Sequence, residues 1–227
     1  MIKTFLDGGP IMWPLLICSI ITAATVLERL IFILRERMRR EPVVVEGLLH
    51  QVESRDPDGA IKIGRDSEDF VARVLVSALR HRGESFANAA LKAANQELQR
   101  FNRGLAILDT VITLAPLLGL LGTITGMIHA FGLLGDQELA GPQAITGGIA
   151  EALIATAFGL SIAITALIPF NYLNARLESA RHEIQDSVSQ VELQLDRSRE
   201  MTPIPVPAPK AAAAPAFAVT AKAGAAS

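Results

Sequence analysis

Long apolar stretches alternate with polar, helix-patterned ones along this chain. Three segments, at about 8–34, 110–134 and 144–173, exceed the roughly 20 apolar residues that a helix needs to cross a bilayer. Charge enters them at only two places: Glu28 and Arg29 near the end of the first, and Glu151 in the third. Between the first and second segments the pattern becomes amphipathic. DPDG at Asp56–Gly59 is a turn signal, and Ser67 is a suitable cap for EDFVARVLVSALRHRG, which Gly83 could end. From Ser85 a helix can run through ANAALKAANQELQRF directly into the second span. Beyond the third span, Leu173, Leu177, Ala180, Ile184, Val188, Val191 and Leu195 recur every three or four residues with charges between them. That spacing makes the seam of a helix packed on other helices.

This pattern predicts an all-α membrane protein with three transmembrane helices, the second and third extending into a cytoplasmic helical bundle. The divisions are a short external N-terminus and first span (1–34), a cytoplasmic helical region (35–103), the second span (104–134), a short periplasmic loop (135–143), the third span (144–173), a cytoplasmic amphipathic helix (174–200) and a Pro/Ala-rich tail (201–227). The tail has almost no charge and reads as disordered.

Composition agrees with a membrane chain: half of the residues are hydrophobic, and the net charge is only −2. A cleaved signal peptide is disfavoured for the first span, which is long, has a weak basic start in Lys3, and leads into Arg35, Arg37, Arg39 and Arg40. Basic residues also flank the second span (Arg100, Arg103) and follow the third (Arg176, Arg181), whereas the loop GDQELAGPQ carries two acids and no base. The positive-inside rule then places the N-terminus outside and the C-terminus inside. The single cysteine, Cys18, excludes an intramolecular disulfide and reads as a small apolar residue. No metal, cofactor or nucleic-acid site is expected.

The second and third spans differ from ordinary lipid-facing helices. Gly119, Gly122, Thr123, Gly126 and Ala130 line one side of the second; Ala152, Thr156, Gly159, Ala163 and Ala166 make a similar stripe on the third. Small stripes let helices approach closely in lipid, within one chain or between chains. The hydroxyls of Thr123, Thr125, Thr156, Ser161 and Thr165 are each most simply explained by bonding to their own helix carbonyls. The first span has no such stripe and carries bulky Ile, Leu and Trp13, which marks it as lipid-facing. Two inner helices per chain cannot enclose a pore, so a pore requires a ring of subunits.

Glu151 has two readings. An ionisable group at membrane depth is costly and marks an ion or proton route; at the outer interface it is solvated and cheap. The uncharged run from Ala152 to Ala175 covers roughly 36 Å as helix, enough to span the core without it. Helical rotation separates Glu151 from Thr156 by about 140°. No carboxylate or histidine lies at mid-depth; His129 falls toward the outer side of the second span, and Asp109 lies at its cytoplasmic entrance. A proton route therefore needs a titrating group from a partner.

LAPLLGLLGTITGMIHAF (114–131) and GGIAEALIATAFGLSIAI (147–164) resemble the two signature helices of the MotA/TolQ/ExbB proton-channel family, nearer the TolQ and ExbB branch. The resemblance covers most of residues 8–195. It implies an inner-membrane homo-pentamer whose second and third spans surround a dimer of a single-span ExbD/TolR-type partner carrying the proton-binding aspartate. The implied activity is a stator-like motor that couples the proton-motive force to work at the outer membrane or periplasm, with a TonB/TolA-type periplasm-spanning protein as a further partner. By motif, the family's pore threonines fall on Thr123 and Thr156 and its span-three glutamate on Glu151. Gly119, Gly122, Thr125, Gly126, Ala152 and Gly159 are additional candidates for pore lining. Ile124–Thr125 departs from the Val-Trp or Val-Leu common in the family and adds a hydroxyl. The competing expectation is a non-conducting oligomeric membrane scaffold, which would tolerate Glu151→Gln and Thr156→Val; an enzyme is not expected.

Overall fold

Helix α1 (Met12–Met38) carries the first apolar span. The computed structural model describes residues 8–136 and 142–200, which are almost wholly helical with no strand among them. The expectations for the external N-terminus before residue 8, the centre of the periplasmic loop and the tail at 201–227 lie outside the described residues. One face of α1, marked by Met12, Leu15, Cys18, Thr22, Thr25, Arg29, Ile33 and Glu36, is buried at helical spacing. The other face leaves Trp13, Ile17, Ile20 and Leu27 exposed, as a lipid-facing helix requires. The inner face departs from the expectation that this span has no small-residue stripe. Cys18, Thr22 and Thr25 form a short inward stripe, and the Thr22 hydroxyl donates to the Cys18 carbonyl (2.8 Å).

Four short helices follow: α2 (Pro42–Glu53), α3 (Pro57–Gly64), α4 (Phe70–Arg80) and α5 (Arg82–Asn102). Then come α6 (Leu105–Asp136) and the 59-residue α7 (Pro142–Glu200), which hold the second and third apolar spans. The third span runs without a break into the bundle, and its predicted seam is the one observed. Leu173, Leu177, Ala180, Ile184 and Val191 are buried, and Val188 and Leu195 pack at the edge of the bundle core.

Local chemistry changes three of the expected boundaries. DPDG starts a helix instead of making a free turn: Pro57 occupies the first turn of α3, and the Asp56 carboxylate accepts from the Gly59 N–H (2.8 Å). The cap of α4 is Asp69, not Ser67. Asp69 is fully buried and accepts from the Val71 N–H (2.8 Å) and the Glu41 N–H (2.9 Å). Ser67 instead steadies that cap, accepting from the Asp69 N–H (3.2 Å) and donating to Glu41 (2.6 Å). Helix α4 ends at Arg80, ahead of Gly83, and regular helix resumes after Ser85, whose φ of −165° and ψ of 108° are extended.

The helix from Ser85 does not run directly into the second span. Gly104 breaks it with φ +83°. A Cβ there would lie 3.1 Å from Thr25 and 3.2 Å from Arg29, so both the backbone angle and the space favour glycine. The break lets α6 begin afresh against α1.

The bundle core is made of large aliphatic and aromatic side chains, among them Leu48, Phe70, Leu75, Leu79, Phe86 and Val191. Charged pairs tie its surface. Arg73 grips Glu97 with two nitrogens (3.2 and 2.8 Å), and Arg40 bonds Glu183 (2.6 Å) while its guanidinium stacks 4.6 Å over the Phe70 ring. Burial would lower the Arg73 pKa. The hydrogen bond to Glu97 and the charges of Glu97, Glu36 and Asp69 more than offset that and hold it above its ordinary value. An edge-to-face aromatic chain, Phe32 to Phe101 to Phe70 (5.4 and 5.3 Å between centroids), joins α1, α5 and α4 just below the spans.

Candidate functional site

The second and third spans pack against each other more extensively than any other helices in the chain, and small residues allow it. The two run antiparallel. A Cβ on Gly159 would lie 2.6 Å from the Ala115 carbonyl oxygen and 3.1 Å from the Gly119 Cα. One on Gly119 would lie 3.1 Å from the Thr156 Cα, and one on Gly126 would lie 2.9 Å from the Ala152 Cβ. Gly122 faces Ala155 in the same way. The backbones thus touch along almost the whole pair, which is how helices bind in lipid, where no hydrophobic effect distinguishes a Leu from a lipid tail. Within the chain, Gly119, Gly122, Gly126, Ala152 and Gly159 are all buried in this seam, and packing alone accounts for their small size.

The hydroxyls divide into two groups. Thr123 donates to the Leu120 carbonyl (2.7 Å), Thr125 to Leu121 (2.9 Å), Ser161 to Ala157 (2.7 Å) and Thr165 to Ser161 (2.7 Å), each within its own helix. Thr156 breaks the expected pattern and donates across the seam to the Gly119 carbonyl of α6 (2.9 Å). The reason is proximity: the glycine brings a foreign carbonyl as close as the helix's own. Thr123 is half-buried and lies one turn along α6 from Gly119, between the levels of the Gly119–Thr156 and Gly126–Ala152 contacts. The two threonines therefore share one section of the helix pair, while Thr125 is exposed on another side of α6.

Glu151 belongs to a different face. It is half-buried, and its carboxylate lies over the backbone of Gly9, just before α1; any Cβ on Gly9 would collide with it. Gly9 also has φ +73°, so two independent features keep a side chain out of the space that Glu151 fills. The predicted rotation away from Thr156 is thus observed, and the structure pairs Glu151 with the start of the first span. Its neighbours in the seam, Ala152 and Gly148, touch Gly126 and Ala130. That puts Glu151 level with about residue 128 of α6, roughly 12 Å along the axis from Asp136 and roughly 28 Å from Asp109. It lies in the half of the span nearer the α6–α7 connection, more than two turns beyond the start of α7. The Gly8–Gly9–Pro10 stretch before an apolar helix was the available signal for this partnership.

One functional-looking residue was read in the sequence only as a charge near the end of the first span. Arg29 lies on the inner face of α1 and is 3% exposed. It donates to the Arg100 carbonyl (3.0 Å) and to Glu28 (2.6 Å), and its Nε has no partner. Asp109 and His129 are both exposed in the single chain. Among the described residues no group of His, Cys, Asp and Glu could hold a metal ion.

Comparison with known proteins now adds an independent line. The model of the MotA/TolQ/ExbB proton channel family matches residues 66–186. The protein named ExbB-like 1 of Synechocystis sp. is 39% identical over 180 residues, covering 76% of this chain and 70% of that one. The biopolymer transport protein exbB1 of Vibrio cholerae is 27% identical over 199 residues, 83% and 85% of the two chains. The Tol-Pal system protein TolQ of Haemophilus influenzae is 36% identical over 105 residues, 46% of each chain.

Proposed function

Since this chain belongs to the MotA/TolQ/ExbB proton channel family, on its ExbB/TolQ side, we propose that it is the ring-forming subunit of a proton-driven motor in the bacterial inner membrane. The family's proteins are channel and transport-energising proteins rather than enzymes, and the three apolar helices make this a multi-pass membrane protein. In this reading five copies enclose a dimer of a single-span ExbD/TolR-type protein, with N-termini periplasmic and C-termini cytoplasmic. A TonB/TolA-type protein receives the work across the periplasm.

The observation that carries the reading is the division of labour in the helix pair. Between Thr110 and Gly135 and between Ala152 and Ala175 the chain has no charged side chain, yet both helices place threonines at one level. Hydroxyls can relay a proton but cannot hold it, so a partner's carboxylate must do the titrating. Thr123 and Thr156 then act as the relay surface, and Glu151, in the outer half, sets the potential at the periplasmic mouth. Gly119, Gly122, Gly126, Ala152 and Gly159 hold the two helices at the spacing that exposes this surface.

Co-reconstitution with the neighbouring single-span protein in liposomes tests this. Glu151→Gln is expected to cut proton flux at least tenfold while native mass spectrometry still finds five copies with two of the partner. Full flux through both Glu151→Gln and Thr156→Val would remove these residues from the proton route and leave a scaffold.

A further inference from the structure

The largest cavity among those described is not in the helix pair. It is a cleft of about 720 Å³ between the end of α1 and the end of α5, within the size range of small-molecule sites. Four guanidinium groups line it: Arg29, Arg35, Arg100 and Arg103. The acid on its wall is Glu28, so the lining carries four positive charges against one negative. Phe32 and Ile31 supply an apolar side, with the Arg29 guanidinium 4.9 Å above the Phe32 ring.

Two of the four cations are paired with the protein's own acids and two are not. Arg100 bonds Glu97 (3.1 Å), which already holds Arg73, and Arg29 bonds Glu28. Arg35 and Arg103 have no ion pair or side-chain hydrogen bond among the described residues. Arg29 is buried, yet its Nε has no acceptor. That nitrogen is closed off from the cleft, so the donors open to a ligand are those of the exposed Arg35 and Arg103.

Depth identifies the ligand. Residues 8–27 are uncharged, so Glu28 and Arg29 stand where α1 leaves the hydrocarbon. The stretch from Glu28 to Arg35 covers roughly 10 Å of helix, and a headgroup layer is roughly 5–7 Å thick. On the other wall, Arg103 directly precedes Gly104, where α5 gives way to the apolar α6. The cleft therefore opens at the height of the lipid phosphates.

We propose that this cleft is a binding site for the phosphate headgroup of an anionic phospholipid, of the phosphatidylglycerol or cardiolipin class, in the leaflet on the bundle side. Arg35 and Arg103 clamp the phosphate from α1 and the α5–α6 junction. Arg–phosphate contacts are short and directional, and a basic pocket beside membrane helices is the arrangement that recognises such headgroups. Because the cleft is walled by the end of α1 on one side and the end of α5 on the other, a bound headgroup would fasten the first span to the bundle.

The test uses the full chain with delipidation into a zwitterionic detergent, followed by native mass spectrometry and thermal unfolding with added lipid. Phosphatidylglycerol is expected to remain as a discrete adduct and to raise the unfolding temperature, and phosphatidylcholine is not. The exposed double substitution Arg35→Gln/Arg103→Gln, which removes no observed ion pair, should weaken retention about tenfold or more with the unliganded unfolding temperature unchanged. Arg37→Gln, on the same helix but outside the cleft, should retain lipid as the parent does. Equal retention of both lipids, or equal retention by the double variant, would overturn the site. Protection by millimolar inorganic phosphate without any phosphatidylglycerol adduct would overturn the lipid source and assign the cleft to a soluble anion.

Discussion

The bundle and the membrane-spanning helices of this chain are both helix-on-helix packings, but opposite residue sizes build them. The bundle is closed by Leu75, Leu79, Phe70 and Phe86, and its polar ends are fastened by Asp69, Arg40 and Arg73. The α6–α7 pair is closed by Gly119, Gly122, Gly126 and Gly159 against alanine and bare backbone. Water explains the difference. Large apolar side chains gain free energy by leaving water, so a bundle in solution selects for bulk. Lipid offers no such gain, so contact area must come from backbones brought close together. Thr156 shows the second regime directly: its hydroxyl reaches a carbonyl of another helix because the intervening residue is glycine. Even in the first span, the middle of the inward face carries the small Cys18, Thr22 and Thr25, between Leu15 and Ile33.

Five substitutions set the two regimes against each other, beginning with the largest expected effect. Leu75→Ala in the bundle should cost about 2–5 kcal/mol, lowering the thermal unfolding midpoint of the detergent-solubilised chain by roughly 4–20 °C. Asp69→Ala comes next. It removes the α4 cap bond to Val71 and the bond to the Glu41 N–H, and it leaves Arg40, which lies 3.5 Å from Asp69, with Glu183 alone, a loss of about 3 kcal/mol on the same assay.

Adding bulk should reverse the pattern in the membrane. Gly159→Leu drives a side chain against the Ala115 carbonyl and should cost about 1–3 kcal/mol despite its greater hydrophobicity. The same variant should reduce proton flux sharply, because the helix spacing changes. A neutral or stabilising result would show that the glycine stripe is not held by close approach. The smallest effect separates the two threonines: Thr156→Val should lose about 0.6 kcal/mol with its interhelical bond, and Thr123→Val close to nothing, since only a bond within its own helix disappears. Equal losses would mean that the cross-helix bond adds no stability.

Much of the fold was legible in the chain. Three apolar runs, the basic residues beside them and the Leu173-to-Leu195 seam follow from periods of 3.6 and from the thickness of a bilayer, and neither needs three-dimensional knowledge. The small-residue stripes and the two motifs likewise exposed the helix pair and its candidate threonines. Local boundaries were less legible. Ser67 and Asp69 are both good caps, and only the packing that lets Asp69 accept from both the Val71 and Glu41 N–H groups decides for Asp69. Gly104 looks like any glycine in a helical pattern until Thr25 and Arg29 of α1 close over it.

The sequence by itself determined which segments enter lipid and which residues can relay or hold a proton, because hydropathy and side-chain chemistry belong to each residue alone. Which face each residue serves was decided by tertiary structure. Glu151 lies over Gly9 instead of beside Thr156, Thr156 bonds α6 instead of its own helix, and Arg29 is buried beneath α5 with an unmatched N–H. Each of these depends on which surface a neighbouring helix brings within a few ångströms. No pattern along one strand of sequence encodes that distance.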